Sequence, residues 1–212
     1  MAHGINHFEH CSFYLNWHCE EYMYSLLNKY PRESYYICGK LPVYNVITKR
    51  DFKELFQEQL EKVPGHYFDT YILQAMDDRS ALDIYEQNVI PFFLEQKEKG
   101  VIKRFGISIQ CLPEMFERYL KLKCWDVVQM PINYYDWFLC RYDENYSLAR
   151  KYNVSIIAQA PAKGGLLVKD TNIPADSFSD FNRSTEEAIY DFFSSLEGIE
   201  LILCGNSSLE TF

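Results

Sequence analysis

No dense basic run exists in this sequence. The nearest, Lys97 to Arg104, is interrupted by Glu98, Gly100 and Val101, and 21 Lys and Arg against 30 Asp and Glu leave a net charge of −9. Nucleic-acid affinity comes mainly from neutralised phosphates, and anionic lipid attracts basic segments. Both partners are therefore disfavoured. Long apolar runs are missing too: no window approaches about 18 unbroken apolar residues, so no segment is expected to span a bilayer. The opening residues, Met1 to Phe13, are polar and histidine-bearing, unlike a secretory signal. Low-complexity tracts, internal repeats and Pro/Gly/Ser linkers are also absent, which leaves residues 1–212 as one domain. Cysteine is not scarce, but its count of seven is odd and scattered. That pattern predicts reduced thiols in a cytoplasmic protein rather than a disulfide framework.

The chain is rich in material for a core. Hydrophobic residues make up 48%, and 17 Tyr and 15 Phe imply a stacked aromatic interior. Short apolar runs read as strands at Ile5 to Phe8, Tyr35 to Cys38, Tyr67 to Leu73, Ile102 to Ile107, Val127 to Met130, Val154 to Ala158 and Leu201 to Cys204. Helical patterns lie between them. Thr48 is a candidate N-cap for a helix reaching Val63, and Gly100 a C-terminal cap for Leu82 to Lys99. Pro113 suits a first turn, and Ser184 with Glu187 forms a capping box. Helices at Cys19 to Tyr30 and Asp143 to Tyr152 complete the set. Seven strand–helix alternations with apolar strands predict an α/β fold on a parallel sheet. An open dinucleotide-binding sheet would carry a Gly-rich turn after its first strand, and none is present. A barrel is the expected architecture.

Active sites of parallel barrels are built at the carboxyl ends of the strands. The residues that terminate the apolar runs are Glu9, Lys40, Gln74, Ser108, Gln129, Gln159 and the pair Gly205-Asn206. Polar residues cap strands everywhere, so no single position is diagnostic. A lysine at the end of a buried strand stands apart, because lysine is rarely enclosed without a partner. Glu9 is its natural partner.

These positions sit in stretches with a family likeness. Gly4 to Tyr14 resembles the aldo-keto reductase segment Gly-Ile-Asn-x-Phe-Asp-Thr-Ala with a tyrosine five residues past the aspartate. Cys38 to Pro42 is similar to that family's Thr-Lys-Leu strand end, and His66 to Gln74 to its Asp-Tyr-Ile-Asp-x-Tyr-Leu-Leu-His. Lys99 to Ser108, Val128 to Tyr134 and Ala160 to Leu167 continue the likeness in order. Lys29 to Arg32 resembles the branch that often carries an iron–sulfur tail, although no Cys-rich tail follows here. The resemblance implies a (β/α)8 barrel moving hydride between NADPH and a small-molecule carbonyl. It implies that Tyr14 is the general acid, that Lys40 lowers the tyrosine pKa, and that Glu9 holds Lys40 charged. Ser108 and Gln129 would bind the nicotinamide carboxamide, with Gln159, Gly164, Gly165, Gly205 and Asn206 completing the cofactor site.

The chain departs from the family pattern at several places. Gln74 stands where the family has a histidine, and an amide cannot exchange a proton near neutral pH. Gln159 replaces an aromatic ring that usually stacks on the nicotinamide, and Ile109 replaces an asparagine. The last loop offers no cation for a 2′-phosphate, so NADPH binding is expected to be weak or lost. The family's first strand–helix unit has no counterpart, which predicts an incomplete, seven-stranded barrel with two unpaired edges. A homodimer, or cover by Asp170 to Phe181, would relieve them. Three readings follow: a reductase of altered specificity, a catalytically silent relative that binds a ligand or protein, and a metal site built from His7, His10, Cys11, His18 and Cys19. The metal reading is disfavoured, because strand residues three apart face opposite ways and the spacings match no common zinc signature.

Overall fold

The computed structural model describes residues 4–12, 14, 18–42, 51–76, 88–169 and 184–205. Along them run β1 (His7–Glu9), α1 (Cys19–Leu27), β2 (Tyr36–Pro42), α2 (Phe52–Lys62), β3 (Phe68–Met76), α3 (Ile90–Glu98) and β4 (Ile102–Ile109). There follow α4 (Pro113–Leu120), β5 (Val127–Pro131), α5 (Tyr142–Lys151), β6 (Ser155–Gln159), the one-turn α6 (Leu166–Lys169), α7 (Thr185–Ser194) and β7 (Ile199–Ile202). The seven strands form one sheet in chain order, and every neighbouring pair is parallel. The sheet curls into an incomplete (β/α)8 barrel. Its curl brings Arg104 of β4 to Glu200 of β7, three strands away, in a bidentate ion pair. A register shift in β7 accompanies that contact. Among the described residues, no strand pairs with the outer edges of β1 and β7. No helix among them is long and apolar enough to cross a membrane.

Register decides which side chains face where. Parallel partners point to the same face, and successive residues alternate. The pairs Glu9 with Cys38, Cys38 with Thr70, Ile72 with Gly106 and Ser108 with Gln129 therefore share one face, and Lys40 and Gln74 join them by the period of two. The opposite face carries Leu41, Tyr71, Leu73, Phe105, Ile107, Val128, Met130, Ile156 and Ala158, all in one core cluster with Phe56, Phe93, Phe116 and Phe193 from the helices. The apolar layer thus lies between sheet and helices. Aromatic stacking fills it: Tyr71 and Phe93 sit 5.0 Å apart and Phe93 and Phe105 5.5 Å apart between ring centres.

The local signals fare unevenly. Pro113 opens α4, which buries Phe116, Tyr119 and Leu120. Ser184 and Glu187 form the full capping box of α7, and Gly100 takes the left-handed φ of +75° after α3. The N-cap of α2 is Asp51, whose carboxylate accepts from the Lys53 amide, rather than Thr48, which lies outside the described residues together with the expected start of α3 at Leu82. The first helix ends at Leu27 rather than Tyr30, since Pro31 disfavours helical backbone just before it.

Candidate active site

The polar residues expected at strand ends lie, for the most part, inside the strands. Lys40 is two residues short of the end of β2, Gln74 two short of β3, Gln129 two short of β5, and Ser108 one short of β4. The ladder runs past them because the intervening Leu41, Ile109 and Met130 still bury against the helices. Only Glu9 and Gln159 close their strands. All of these residues stand at the carboxyl end of the sheet, and the alternation turns Glu9, Lys40, Gln74, Ser108 and Gln129 to its helix-free face.

Lys40 is 1% exposed and its ammonium meets the Glu9 Oε1 at 2.6 Å. The other carboxylate oxygen accepts from the Gln129 amide. Glu9 thus takes donors on both oxygens, one charged and one neutral. Burial works against the ammonium, but the Glu9 carboxylate and the Tyr14 phenol outweigh it and hold Lys40 above the usual lysine range. Tyr14, on the segment after β1, feels the same charge from the other side. Burial raises its phenol pKa more than Lys40 lowers it, so the net shift is upward. The lysine acts in the expected direction and is outweighed by desolvation.

Gln74 faces Tyr14 from β3. Its Nε2 donates to the Tyr14 hydroxyl oxygen at 3.3 Å, while its Oε1 accepts from the buried Cys11 thiol. Ser108 and Gln129 are register partners on adjacent strands and both are buried. The Gln129 Oε1 is enclosed and, among the described residues, has no hydrogen-bond partner. A buried acceptor left open in this way costs free energy and is suited to an incoming N–H donor. Gln159 is half-buried, and among the described residues no hydrogen bond joins it to Glu9, Lys40 or Gln129; its backbone carbonyl accepts from Ile132. Gly164 and Gly165 take φ of +67° and +90° in the turn before α6, and Gly205 follows β7. Asn206 lies outside the described residues.

A second cluster behind the first has no single motif. The Glu20 carboxylate of α1 is buried; its Oε1 accepts from Ser12 at 2.9 Å and from the Gln59 amide at 2.7 Å. The same Gln59 amide reaches the Lys40 carbonyl, and its Oε1 accepts from Tyr71. His10 bonds Tyr24 at 2.6 Å, with its Nδ1 3.3 Å from Glu20. Burial opposes the carboxylate charge, yet His10, Gln59 and Ser12 hold Glu20 below the ordinary carboxylate range. This network ties the 10–12 segment, which leads into Tyr14, to the backbone of β2. His10 and Cys11, weighed above as metal ligands, are engaged by Tyr24 and Gln74.

Residues 1–202 match the aldo/keto reductase family, and the chain belongs to it. Among curated proteins, none matches. Solved structures share the fold. The holo form of an aldo-keto reductase from Bacillus halodurans is 21% identical, with a TM-score of 0.76 over 98% of this chain and 74% of that one. An aldo-keto reductase from Klebsiella pneumoniae in complex with NADPH is 15% identical, with a TM-score of 0.74 over 99% of this chain and 72% of that one. A glycerol dehydrogenase from Gluconobacter oxydans is also 15% identical, with a TM-score of 0.71 over 95% and 72%.

Proposed function

We propose that the chain is an NADP(H)-dependent oxidoreductase that reduces a small-molecule carbonyl, with Tyr14 as the proton donor. The observation that carries this reading is the enclosed Lys40–Glu9 pair on the helix-free face, beside a tyrosine held by Gln74. In this reading Tyr14 gives its hydroxyl proton to the carbonyl oxygen as that oxygen becomes an alkoxide. Lys40 stabilises the phenolate left behind, and Glu9 keeps Lys40 charged and aimed. Gln74 offers neutral N–H donors where a histidine would titrate. Gln129 Oε1 would accept from a nicotinamide carboxamide, and the Ser108 hydroxyl would donate to its oxygen. NADPH, when bound, supplies the hydride that the carbonyl carbon takes. The K. pneumoniae protein with NADPH bound supports that cofactor class.

Titration of the full chain with NADPH, followed by tryptophan quenching, and then a carbonyl panel read by NADPH absorbance, tests the proposal. Turnover that Tyr14→Phe abolishes supports it. Absence of both binding and turnover favours the alternative, a catalytically silent relative serving as a ligand- or protein-binding scaffold. We also propose that two copies associate through the open edges of β1 and β7, and that the setting is cytoplasmic, as the odd, scattered cysteines suggest.

A further inference from the structure

A glutamine side chain has two chemically opposite ends, so its orientation decides what it does to a neighbour. The Gln74 amide lies between two groups, the Cys11 thiol and the Tyr14 hydroxyl. A thiol is a weak donor and a poorer acceptor, while a phenol does either. The Cys11 thiol donates to Gln74 Oε1, so the carbonyl end of the amide faces the sulfur. That contact sends the NH2 end to Tyr14. Cys11 is fully buried and follows His10, whose Nε2 is bonded to the Tyr24 hydroxyl, so the thiol is itself enclosed beside an anchored neighbour.

We infer that Cys11 is a positioning residue: its thiol locks the Gln74 amide so that Nε2 donates to the Tyr14 oxygen, which turns the tyrosine O–H away from Gln74. With the amide reversed, Tyr14 would spend its proton on Gln74 Oε1 and could not deliver it elsewhere. The locked orientation makes the phenol oxygen an acceptor in the resting protein and favours the phenolate that proton transfer creates. This inference rests on the reading of Tyr14 as proton donor, but its geometric part can be examined without any substrate.

The experiment compares Cys11→Ala and Cys11→Ser with the parent chain. Side-chain amide resonances of Gln74, assigned through Gln74→Met, report whether one amide proton is held on an oxygen. The Tyr14 ring carbon, labelled and assigned through Tyr14→Phe, reports whether the phenol accepts or donates. Cys11→Ala frees the amide to rotate, so the protected Gln74 proton is expected to exchange faster. Tyr14 should then titrate higher by about half a unit to one unit, the size expected for one hydrogen bond. Cys11→Ser keeps an O–H donor and is expected to restore both signals. In turnover, Cys11→Ala should lower kcat several-fold with little change in KM, and Cys11→Ser should recover it. Unchanged Gln74 and Tyr14 signals in a folded Cys11→Ala protein overturn the inference. Full turnover by Tyr14→Phe overturns the proton-donor reading instead and leaves the amide orientation standing on its resonances.

Discussion

Replacing Glu9 by alanine strips the partner from an ammonium that is 1% exposed. Two groups lose their acceptor at once: Lys40 Nζ, 2.6 Å from Oε1, and the Gln129 amide on Oε2. Breaking a buried ion pair by removing one member costs about 3–5 kcal/mol, because a charge stays behind unpaired. The Glu9 side chain keeps 15% exposure, so water can partly enter the space and the lower end, ~3 kcal/mol, applies. At roughly 2–4 °C per kcal/mol for a chain of this size, the melting temperature should fall by about 6–12 °C. The pH dependence carries a definite sign. In the parent, Lys40 is held above its usual pKa, so its stabilising contribution is complete below the unfolded lysine value and fades only as pH rises through the higher folded one. In the variant the largest raising influence is gone and burial pulls the folded pKa down, so the loss is largest at neutral pH and shrinks as pH climbs towards about 10. Urea unfolding at several pH values measures both, with Glu9→Ala/Lys40→Met as the control that removes the charge and should recover much of the stability. A loss below about 1 kcal/mol, constant with pH and unrelieved in the double variant, would refute the enclosed pair.

Repetition makes the parallel α/β sheet legible, since seven apolar runs alternate with amphipathic segments, while the barrel rests on the missing Gly-rich turn after the first strand. Pro113 and the Ser184–Glu187 box mark helix starts through bonds that span three residues, which a local pattern can carry. The site was legible only where a single residue is costly on its own. Lys40 demands a carboxylate, and Glu9 is the acidic residue among the strand-end positions. The Cys11–Gln74 contact joins residues 63 apart, and Gln59 reaches Glu20 across 39; no spacing announces either. Polarity taken residue by residue ends β2 to β5 too early. Inward Lys40 and outward Leu41 belong to the same strand, and only the latter reports the helix-covered core. The direction of the Tyr14 shift was hidden for a similar reason, since desolvation depends on the whole enclosure rather than on the lysine beside it.

Reduction rates, if Tyr14 is the acid, should be level from about pH 6 to 9 and fall only above, because the phenol pKa is raised and Gln74 does not titrate. A histidine-like limb near 6.5 in the pH profile would contradict that. NADPH should bind weakly because Gln159 cannot stack as a ring does, and with little preference over NADH because the last loop offers no Lys or Arg for the 2′-phosphate; calorimetry giving submicromolar affinity and strong preference would overturn this. Gly106→Ala would push a Cβ into the Val127 carbonyl and side chain, at a cost of about 1–3 kcal/mol that denaturant unfolding can read. Its strain should reach the site, because Gly106 and Val127 sit two residues below Ser108 and Gln129 in the same ladder. The strand edges supply the last test. Among the described residues the outer sides of β1 and β7 pair with no strand, and Ile202 on β7 is 41% exposed. An open edge presents unpaired N–H and C=O groups on which a further strand can pair. Association of two chains would pair them, so light scattering at micromolar concentration should give twice the 25.1 kDa of one chain. Amide exchange in β1 and β7 should then slow as concentration rises. A monodisperse single chain whose edge amides exchange at the same rate at every concentration would show that the edges are closed some other way.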